Sequence, residues 1–490
     1  MAKPVQSKPK TNEELRRPIS ILFVLGCLFS LIYLYFSHFP IYISLPLAFL
    51  VLMVTGMVIT KANGYNGFYG LYMLKSVRGL HLIEEISRHN VRFWKTLAEW
   101  GAVLGFGLFS YVVFRKNINR KTLVLGLVST IVIILVVVPN LGLFLKFLNI
   151  PGLSQFSVNI TALESPSLSY ATLIFLIIGI FGGFLFFMIA LLGYAAFGTL
   201  YSIATTLSTV VAGNPNYTSL SQQVPGVVPV IPGLTIPLFS GILALAVVLI
   251  VHEFSHGILA RTAKVKLKSI GLLPFGIIPI GAFVEPDDVQ VKKLDKNRQN
   301  DIFIAGIASN FLLTFIFFAL TAVMILYVMP IFFGSGVIVS STMPGYPAQN
   351  VIAPGSIIYQ WNGYQITNLS SIVMAAHNFT PYATVKVNTS EGNYSFNTNA
   401  TGKIGVIIAS AQIPRSSGPQ NGVVSFLYSF FVLSFVLNFF VAGMNLLPLP
   451  FLDGWQIYRN RIKSKKTLHT IGWIMLIGLI ILALPWIWVL

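Results

Sequence analysis

Residues 234–260 read LTIPLFSGILALAVVLIVHEFSHGILA, an apolar run that carries two histidines and a glutamate near its end. The run is longer than the roughly 20 apolar residues that a helix needs to cross a bilayer. Further apolar runs occur along the chain, at 18–36, 40–60, 97–114, 122–148, 170–198, 302–332, 423–447 and 470–490. The sequence therefore predicts a polytopic α-helical membrane protein with about nine transmembrane helices.

The composition excludes an ordinary soluble enzyme. Of the 490 residues, 55% are hydrophobic and 9% are charged, whereas soluble domains carry about 25% charged residues. The formal net charge of +18 comes from basic residues in short blocks between apolar runs, which is typical of cytoplasmic loops and not of a nucleic-acid-binding patch. The single cysteine, Cys27, lies inside the first apolar run, so neither a disulfide framework nor a cysteine metal site is expected.

The basic blocks predict how the chain is oriented in the membrane. The positive-inside rule puts the N-terminus, 261–301 and 455–469 in the cytoplasm and 334–422 outside. The Asn-x-Ser/Thr sequons avoid the basic loops and agree with this orientation; they begin at Asn159, Asn216, Asn368, Asn378, Asn388, Asn393 and Asn399. We expect an integral multi-pass protein of the cell membrane, held by an uncleaved first anchor.

The sequence leaves open which of two segments, 97–114 or 199–213, crosses the membrane. Residues 115–121 are basic and indicate a cytoplasmic loop, whereas the sequon at Asn159 indicates an external one. Either 97–114 crosses the membrane, or the short 199–213 run crosses in its place.

Residues 334–420 are the only sizeable water-facing module that the sequence predicts. Short β-type runs separated by Gly, Pro and Asn turns indicate an inserted extracytoplasmic α+β domain that resembles a PDZ domain. The predicted organisation has four parts. Residues 1–230 form N-terminal transmembrane helices of unknown role, and 231–333 form a first core segment. Residues 334–420 form the PDZ-like domain, and 421–490 form a second core segment with the C-terminal helix.

The sequence His252-Glu253-Phe254-Ser255-His256 predicts a metal site inside the membrane. Histidines at i and i+4 share one helical face and can bind one Zn²⁺, while Glu253 can act as a base without ligating the metal. A catalytic zinc needs a third protein ligand. Asp453 is favoured, because both Asp453 and His256 lie about 8–9 Å of helix before a cytoplasmic basic block. Glu285 and Asp287 remain weaker candidates.

With these residues in place, the sequence resembles the site-2 protease family of intramembrane zinc metalloproteases, in its PDZ-containing microbial form. The resemblance rests on four motifs: His252-Glu253-x-x-His256-Gly257, Asn445-x-x-Pro448-x-x-x-Leu452-Asp453-Gly454, the segment Gly271–Pro286, and Ala305-Gly306-Ile-Ala-Ser-Asn310, in which Ile307 replaces the usual proline. The match covers about 234–460.

The resemblance implies a set of functional residues. One zinc per chain would be held by His252, His256 and Asp453, with Glu253 as base and acid. Asn445 would steady the substrate carbonyl, although it could instead cap the helix break beside Pro448. A membrane-associated β-hairpin and the helix predicted at 302–332 would contact substrate through Gly271, Pro274, Gly281, Ala282, Phe283 and Asn310. The hairpin could also be a re-entrant loop that only seals the site.

The expected activity is hydrolysis of peptide bonds within or near transmembrane segments of other membrane proteins. The external PDZ-like domain would filter substrates by their ectodomains. Two other interpretations stay open at this stage. One is a different membrane zincin that uses Glu285 as third ligand and acts on cytoplasmic or prenylated peptides; the other is a non-enzymatic PDZ-bearing membrane protein. Neither the individual substrate nor the oligomeric state follows from the sequence.

Overall fold

The computed structural model describes most of the chain, namely residues 11–37, 39, 41–114, 118–141, 170–214, 216–217, 220, 225–233, 235–376, 380–416 and 418–489. Several sequence predictions fall outside these ranges, in particular the end of the 122–148 run, the sequons at Asn159 and Asn378, and the loop at 115–117. The structure divides into two compact units, Met1–Phe318 with Phe430–Leu490, and Ala319–Ser429.

Helices make up most of the first unit. In chain order they are α1 Thr11–Phe36, α2 Ile41–Asn63, α3 Leu80–Arg88, α4 Val91–Phe106, α5 Ser110–Phe114, α6 Arg120–Val132, α7 Tyr170–Val211, α8 Leu238–Thr262, α9 Asp288–Lys293 and α10 Lys296–Val323. After the second unit they continue with α13 Pro419–Asn445, α14 Asp453–Arg459, α15 Lys465–Ala483 and α16 Trp486–Val489. The helices α10 and α13 each extend from one unit into the other.

Among the described residues, eight helical segments are long and apolar enough to cross a membrane, and Pro18–Leu34 forms a shorter apolar helix. These segments agree with a polytopic helical membrane protein, while the predicted count of about nine stays a prediction. Residues 199–213 do not form a helix of their own. Residues 199–211 continue α7, whose backbone breaks earlier, at Gly183, where φ is 66°. Val91–Phe114, in contrast, is a separate apolar segment.

A five-stranded sheet in the first unit contains the predicted hairpin. Its two long strands are β4, Leu267–Phe275, and β5, Ile278–Pro286, joined by a turn in which Gly276 has a φ of 63°. The other edge of β4 pairs with β2, Leu71–Tyr72, and β3, Leu74–Ser76, and β1, Gly67–Phe68, pairs with β2. The N-terminal segment, whose role the sequence left open, therefore extends the hairpin into a sheet.

The second unit contains a six-stranded sheet and short helices. The strands are β6 Phe333–Thr342, β7 Ile357–Trp361, β8 Tyr364–Gln365, β9 Thr384–Thr389, β10 Gly392–Asn397 and β11 Val406–Pro414, with α11 Met329–Phe332 before them and α12 Leu369–Ala375 among them. The order is β10-β9-β7-β6-β11, with β8 beside β7. Alternating apolar side chains of these strands and of α12 form a separate core. This unit encloses the predicted α+β module, and its PDZ character stays a prediction.

Candidate active site

The helix α8 carries both histidines on one face. It begins after Pro237 and continues to Thr262 without a proline or a charged residue before Glu253. Residues four apart on a helix lie one above the other. Accordingly, the Nε2 atoms of His252 and His256 lie 3.2 Å apart and point to the same side.

Asp453 reaches this histidine pair from a distant part of the chain. The helix α13 ends at Asn445, a turn that contains two prolines comes next, and Asp453 is the first residue of α14. The turn folds back tightly, because a Cβ at Gly454 would lie 2.5 Å from the Leu446 carbonyl oxygen. Only glycine fits so close an approach, which explains the glycine after the aspartate. The carboxylate Oδ2 lies 3.0 Å from His252 Nε2 and 3.1 Å from His256 Nε2.

The three side chains fit a metal ion by their geometry. Two imidazole nitrogens and one carboxylate oxygen form a triangle with edges of 3.0, 3.1 and 3.2 Å. A tetrahedral Zn²⁺ with ligands at about 2.0–2.1 Å separates its ligand atoms by about 3.3–3.4 Å, so small adjustments would suffice. The side chains of His252, His256 and Asp453 are 8%, 12% and 19% exposed. This group could therefore hold a metal ion largely shielded from solvent.

Glu253 lies beside the sheet and not among the ligands. Its Oε2 accepts a hydrogen bond from the backbone N–H of Val284 on β5, at 3.1 Å. It also lines a cavity of about 340 Å³ between α8 and the sheet. Glu253 therefore follows His252 directly in the chain and is turned toward a cavity, and its role as general base stays a prediction.

The carboxylates considered as alternative third ligands have other partners. Glu285 accepts hydrogen bonds from Lys75 Nζ at 2.8 Å and Ser269 Oγ at 2.6 Å. These two donors hold the pKa of the Glu285 carboxyl below its usual range. Asp287 caps α9 by accepting from the backbone N–H groups of Val289 and Gln290. The group of metal-ligating side chains that the structure assembles contains neither Glu285 nor Asp287.

The remaining predicted site residues lie along the hairpin, at the end of α13 and, for Asn310, on α10. Gly271, Ala282 and Phe283 line the cavity beside Glu253. Pro274 and Gly281 lie closer to the hairpin turn, where they pair with Pro279 and Leu273. Asn445 Nδ2 donates to the Val441 carbonyl one turn earlier, at 3.0 Å. Its predicted contact with the substrate carbonyl stays a prediction.

Comparison with known proteins identifies the family of this chain. The family model of peptidase family M50 matches residues 240–485. The chain belongs to peptidase family M50. This is the site-2 protease family, as the sequence motifs indicate. An uncharacterized protein of Methanocaldococcus jannaschii is 28% identical over 249 residues, which is 48% of this chain and 61% of that protein. Family membership, together with the apolar helices, makes this chain a multi-pass membrane protein, and the chain spans less than two thirds of the length of this relative.

In this M50 site the Nδ1 atom of each imidazole, which faces away from the metal position, lies within hydrogen-bonding distance of another group. His256 Nδ1 lies 2.7 Å from the Ile302 carbonyl oxygen, which can only accept, so Nδ1 carries the proton and Nε2 presents its lone pair. His252 Nδ1 lies 3.1 Å from Asn310 Nδ2, while Asn310 Oδ1 is buried and has no hydrogen-bond partner among the described residues. If the amide oxygen and nitrogen exchange places, Oδ1 accepts from His252 Nδ1. Both imidazoles then direct a lone pair toward the metal position.

We therefore expect Asn310 to orient His252, whereas the sequence suggested a contact with substrate. Asn310 is fully buried. Asn310→Leu should weaken zinc binding by about 10–100-fold, the usual cost of losing such an outer hydrogen bond. Competition with a fluorescent zinc chelator measures the affinity. Thr314→Val, also buried one turn along the same helix, is the control and should bind zinc as the wild type does. Unchanged affinity in Asn310→Leu would contradict the assignment.

A lack of space explains why a second motif residue, Gly306, is a glycine. It lies on α10 against the histidine pair, and a Cβ there would lie 2.7 Å from His252 Nε2 and even closer to His256 Nε2. A side chain at this position would therefore compete with the metal for the same volume. The glycine of Ala305-Gly306 makes the approach of α10 to the site possible.

Gly306→Ala should accordingly lose bound zinc although all three ligands remain. We expect metal analysis of the purified variant to give much less than one zinc per chain. Gly478→Ala provides the control, since a Cβ at Gly478 meets nothing within 4 Å. Full zinc content in Gly306→Ala would show that the helix can move away and that the space argument is wrong.

Sequence reasoning missed the contribution of β3. Leu74, Lys75 and Ser76 line the cavity beside Glu253, although they lie far from the family motifs in sequence. Strands of two or three residues are too short to show an alternating pattern. The glycine-rich stretch Gly64–Gly70 was the available signal, because it indicates turns on either side of short strands.

Proposed function

We propose that this M50 peptidase is an intramembrane zinc endopeptidase that cleaves other membrane proteins within or near their transmembrane segments. The observation that carries the proposal is the convergence of His252 and His256 of the apolar helix α8 with Asp453 of α14, with Glu253 turned toward an adjacent cavity. Peptidases of family M50 are zinc-dependent, and two imidazoles with one carboxylate are a donor set that suits zinc.

The chain's own residues supply the binding and proton-transfer groups. Zinc bound by this triad would lower the pKa of water to about 7 and polarise a peptide carbonyl. Glu253 would accept the proton of the attacking water and deliver it to the leaving amine. Ile302 and Asn310 would hold the two imidazoles in the metal-binding tautomer.

A transmembrane substrate must be unwound before it can be cleaved, because its carbonyls are bonded within the helix. The outer edge of β5 offers replacement partners. The Val284 N–H on this edge already donates to Glu253, and the period of a strand turns the backbone groups of Ala282 toward the same edge, where a substrate could meet them. Within the part of the chain that the structure describes, no strand pairs with this edge. An extended substrate segment could add there by β-augmentation.

The cavity is accessible from the side. Two apolar residues that line it, Ile250 and Leu272, are 46% and 44% exposed. Ile250 lies in the middle of a membrane-spanning helix, so its exposed surface would face lipid. Lateral entry suits a substrate that is itself embedded in the bilayer.

The orientation of the chain belongs to the same proposal. The N-terminus and the loop at 261–301 would be cytoplasmic, and the second unit would be extracytoplasmic. The sheet domain at 334–420 would act as a PDZ-like filter on substrate ectodomains.

Cleavage in vesicles tests the proposed function. Purified protein would be reconstituted with single-span reporter proteins, and the fragments would be identified by mass spectrometry. We expect cuts within or beside the reporter's span, which stop when a zinc chelator is added and resume when zinc is restored. Cleavage confined to soluble peptides, or insensitivity to chelator, would contradict the proposal.

A further inference from the structure

The cavity beside Glu253 has one wall that the family match does not include. Helix α8 contributes Ile250, Glu253 and Phe254, and the hairpin contributes residues of β4 and β5. The third wall is β3, with Leu74, Lys75 and Ser76, whereas the family match covers residues 240–485. The chain outside the family core therefore shapes the space next to the catalytic residues.

Several contacts fix β3 in this position. Lys75 pairs with Gly271 in the sheet, and its ammonium lies 2.8 Å from the Glu285 carboxylate. A Cβ at Gly271 would overlap the Leu74 carbonyl oxygen, so only glycine allows this approach of the two strands. Nearby, the buried hydroxyl of Tyr72 donates to the Gly276 carbonyl at the hairpin turn, at 3.0 Å. The wall is a fixed part of the sheet.

The side chains that line the cavity determine which kind of substrate group can bind there. Apart from Glu253, Lys75 and Ser76 it consists of aliphatic and aromatic side chains and Gly271, and Lys75 is paired with Glu285. Its volume of about 340 Å³ is at the lower end of the roughly 300–1,000 Å³ typical of ligand pockets. Such a space suits one large apolar side chain and not a whole helix.

A segment that adds to β5 would direct side chains into this space. Val284 faces α8, since its Cγ1 lies 3.0 Å from a Cβ built at Gly257, and alternation turns Ala282 to the same face. A neighbouring extended segment alternates likewise. One of its side chains therefore enters the cavity beside Glu253, next to the bond being cleaved.

We propose that this cavity, walled by β3, receives a large aliphatic or aromatic side chain of the substrate adjacent to the cleaved bond. The inference rests on the proposed function and adds the class of residue that the enzyme selects. Leu74 and Ala282 are then specificity-determining residues, one from outside the family core and one from the hairpin.

Reporters that differ at single positions test this selectivity. Ala, Leu, Phe and Trp would be placed in turn at each position around the cut. We expect the wild type to favour Leu or Phe over Ala at one position by about 10-fold or more, as apolar pockets discriminate. Ala282→Phe, which fills the cavity, should reverse this preference, and Leu74→Ala, which enlarges it, should improve cleavage with Trp.

Two controls separate folding and function from selectivity. Ala204→Phe makes the same change at an exposed alanine on α7 and should retain the wild-type profile. Zinc content of each variant reports an intact metal site. If wild type and zinc-replete variants cleave with the same preference at every position, the cavity does not select the substrate. If the wild type cleaves no reporter, the proposed function itself fails.

Crosslinking gives a second readout that does not need cleavage. Glu253→Gln would be mixed with a reporter that carries a benzophenone amino acid at each position in turn. We expect one position to crosslink to Leu74–Ser76. Crosslinks that avoid this strand at every position would overturn the inference, whether or not the wild type is active.

Discussion

Asp453→Ala should remove bound zinc from the purified protein. The carboxylate lies 3.0 and 3.1 Å from the two imidazole Nε2 atoms, and without it two histidines remain, fewer than the three protein ligands of a catalytic zinc site. We expect zinc to fall from about one per chain to a small fraction, a larger effect than the roughly 10–100-fold loss that results from removing an outer hydrogen bond. Metal analysis by mass spectrometry measures the content directly.

Glu285→Ala is the matched control for this variant. It also removes a carboxylate, but one that is bonded to Lys75 and Ser269. The pair is partly exposed and contributes little to stability, so zinc content should stay at the wild-type level. The opposite pattern, zinc retained in Asp453→Ala and lost in Glu285→Ala, would favour the other type of membrane zincin.

Glu253→Gln should separate metal binding from catalysis. The amide keeps the shape of the side chain but cannot accept a proton from water. Because Glu253 contacts the Val284 N–H and not the ligand triangle, zinc content should be unchanged. Cleavage of a membrane-spanning reporter should fall by about 10²–10⁴-fold, the usual contribution of a general base. Rates in vesicles, normalised to bound zinc, measure the loss.

Glu391→Gln makes the same chemical change in an exposed turn of the second unit and should leave cleavage as in the wild type. Wild-type activity in Glu253→Gln would reject this residue as the base. Loss of zinc in Glu253→Gln would instead assign it to the metal site itself.

The grouping of His252, His256 and Asp453 could be predicted from the sequence, although their role as metal ligands stays a prediction. The His-Glu-x-x-His spacing fixes two ligands on one helical face. Asp453 was identifiable because it is the only acidic residue after Glu391 and because its distance to the next basic block matches that of His256. The structure brings these three side chains together. The hairpin was also predictable, since prolines and glycines interrupt an apolar run at 271–286.

Other features depend on contacts between distant segments and leave little trace in the sequence. The strand β3 has three residues and is recognisable as a strand only because it pairs with β4. The helix α7 continues through 199–211 after a backbone break at Gly183, whereas hydropathy separated 170–198 from the 199–213 run. Glycine is needed at position 306 because α10 lies close to the histidines. This contact between distant segments cannot be predicted from the sequence around residue 306.

X-ray absorption at the zinc K edge of the purified wild-type protein tests the ligand assignment most directly. We expect nitrogen and oxygen neighbours at about 2.0–2.2 Å, with the outer-shell scattering of two imidazoles and no sulfur. The absence of sulfur is expected because the chain's single cysteine, Cys27, belongs to α1. A spectrum with a sulfur ligand, with fewer than two imidazoles, or from protein that binds no zinc would contradict the site formed by His252, His256 and Asp453.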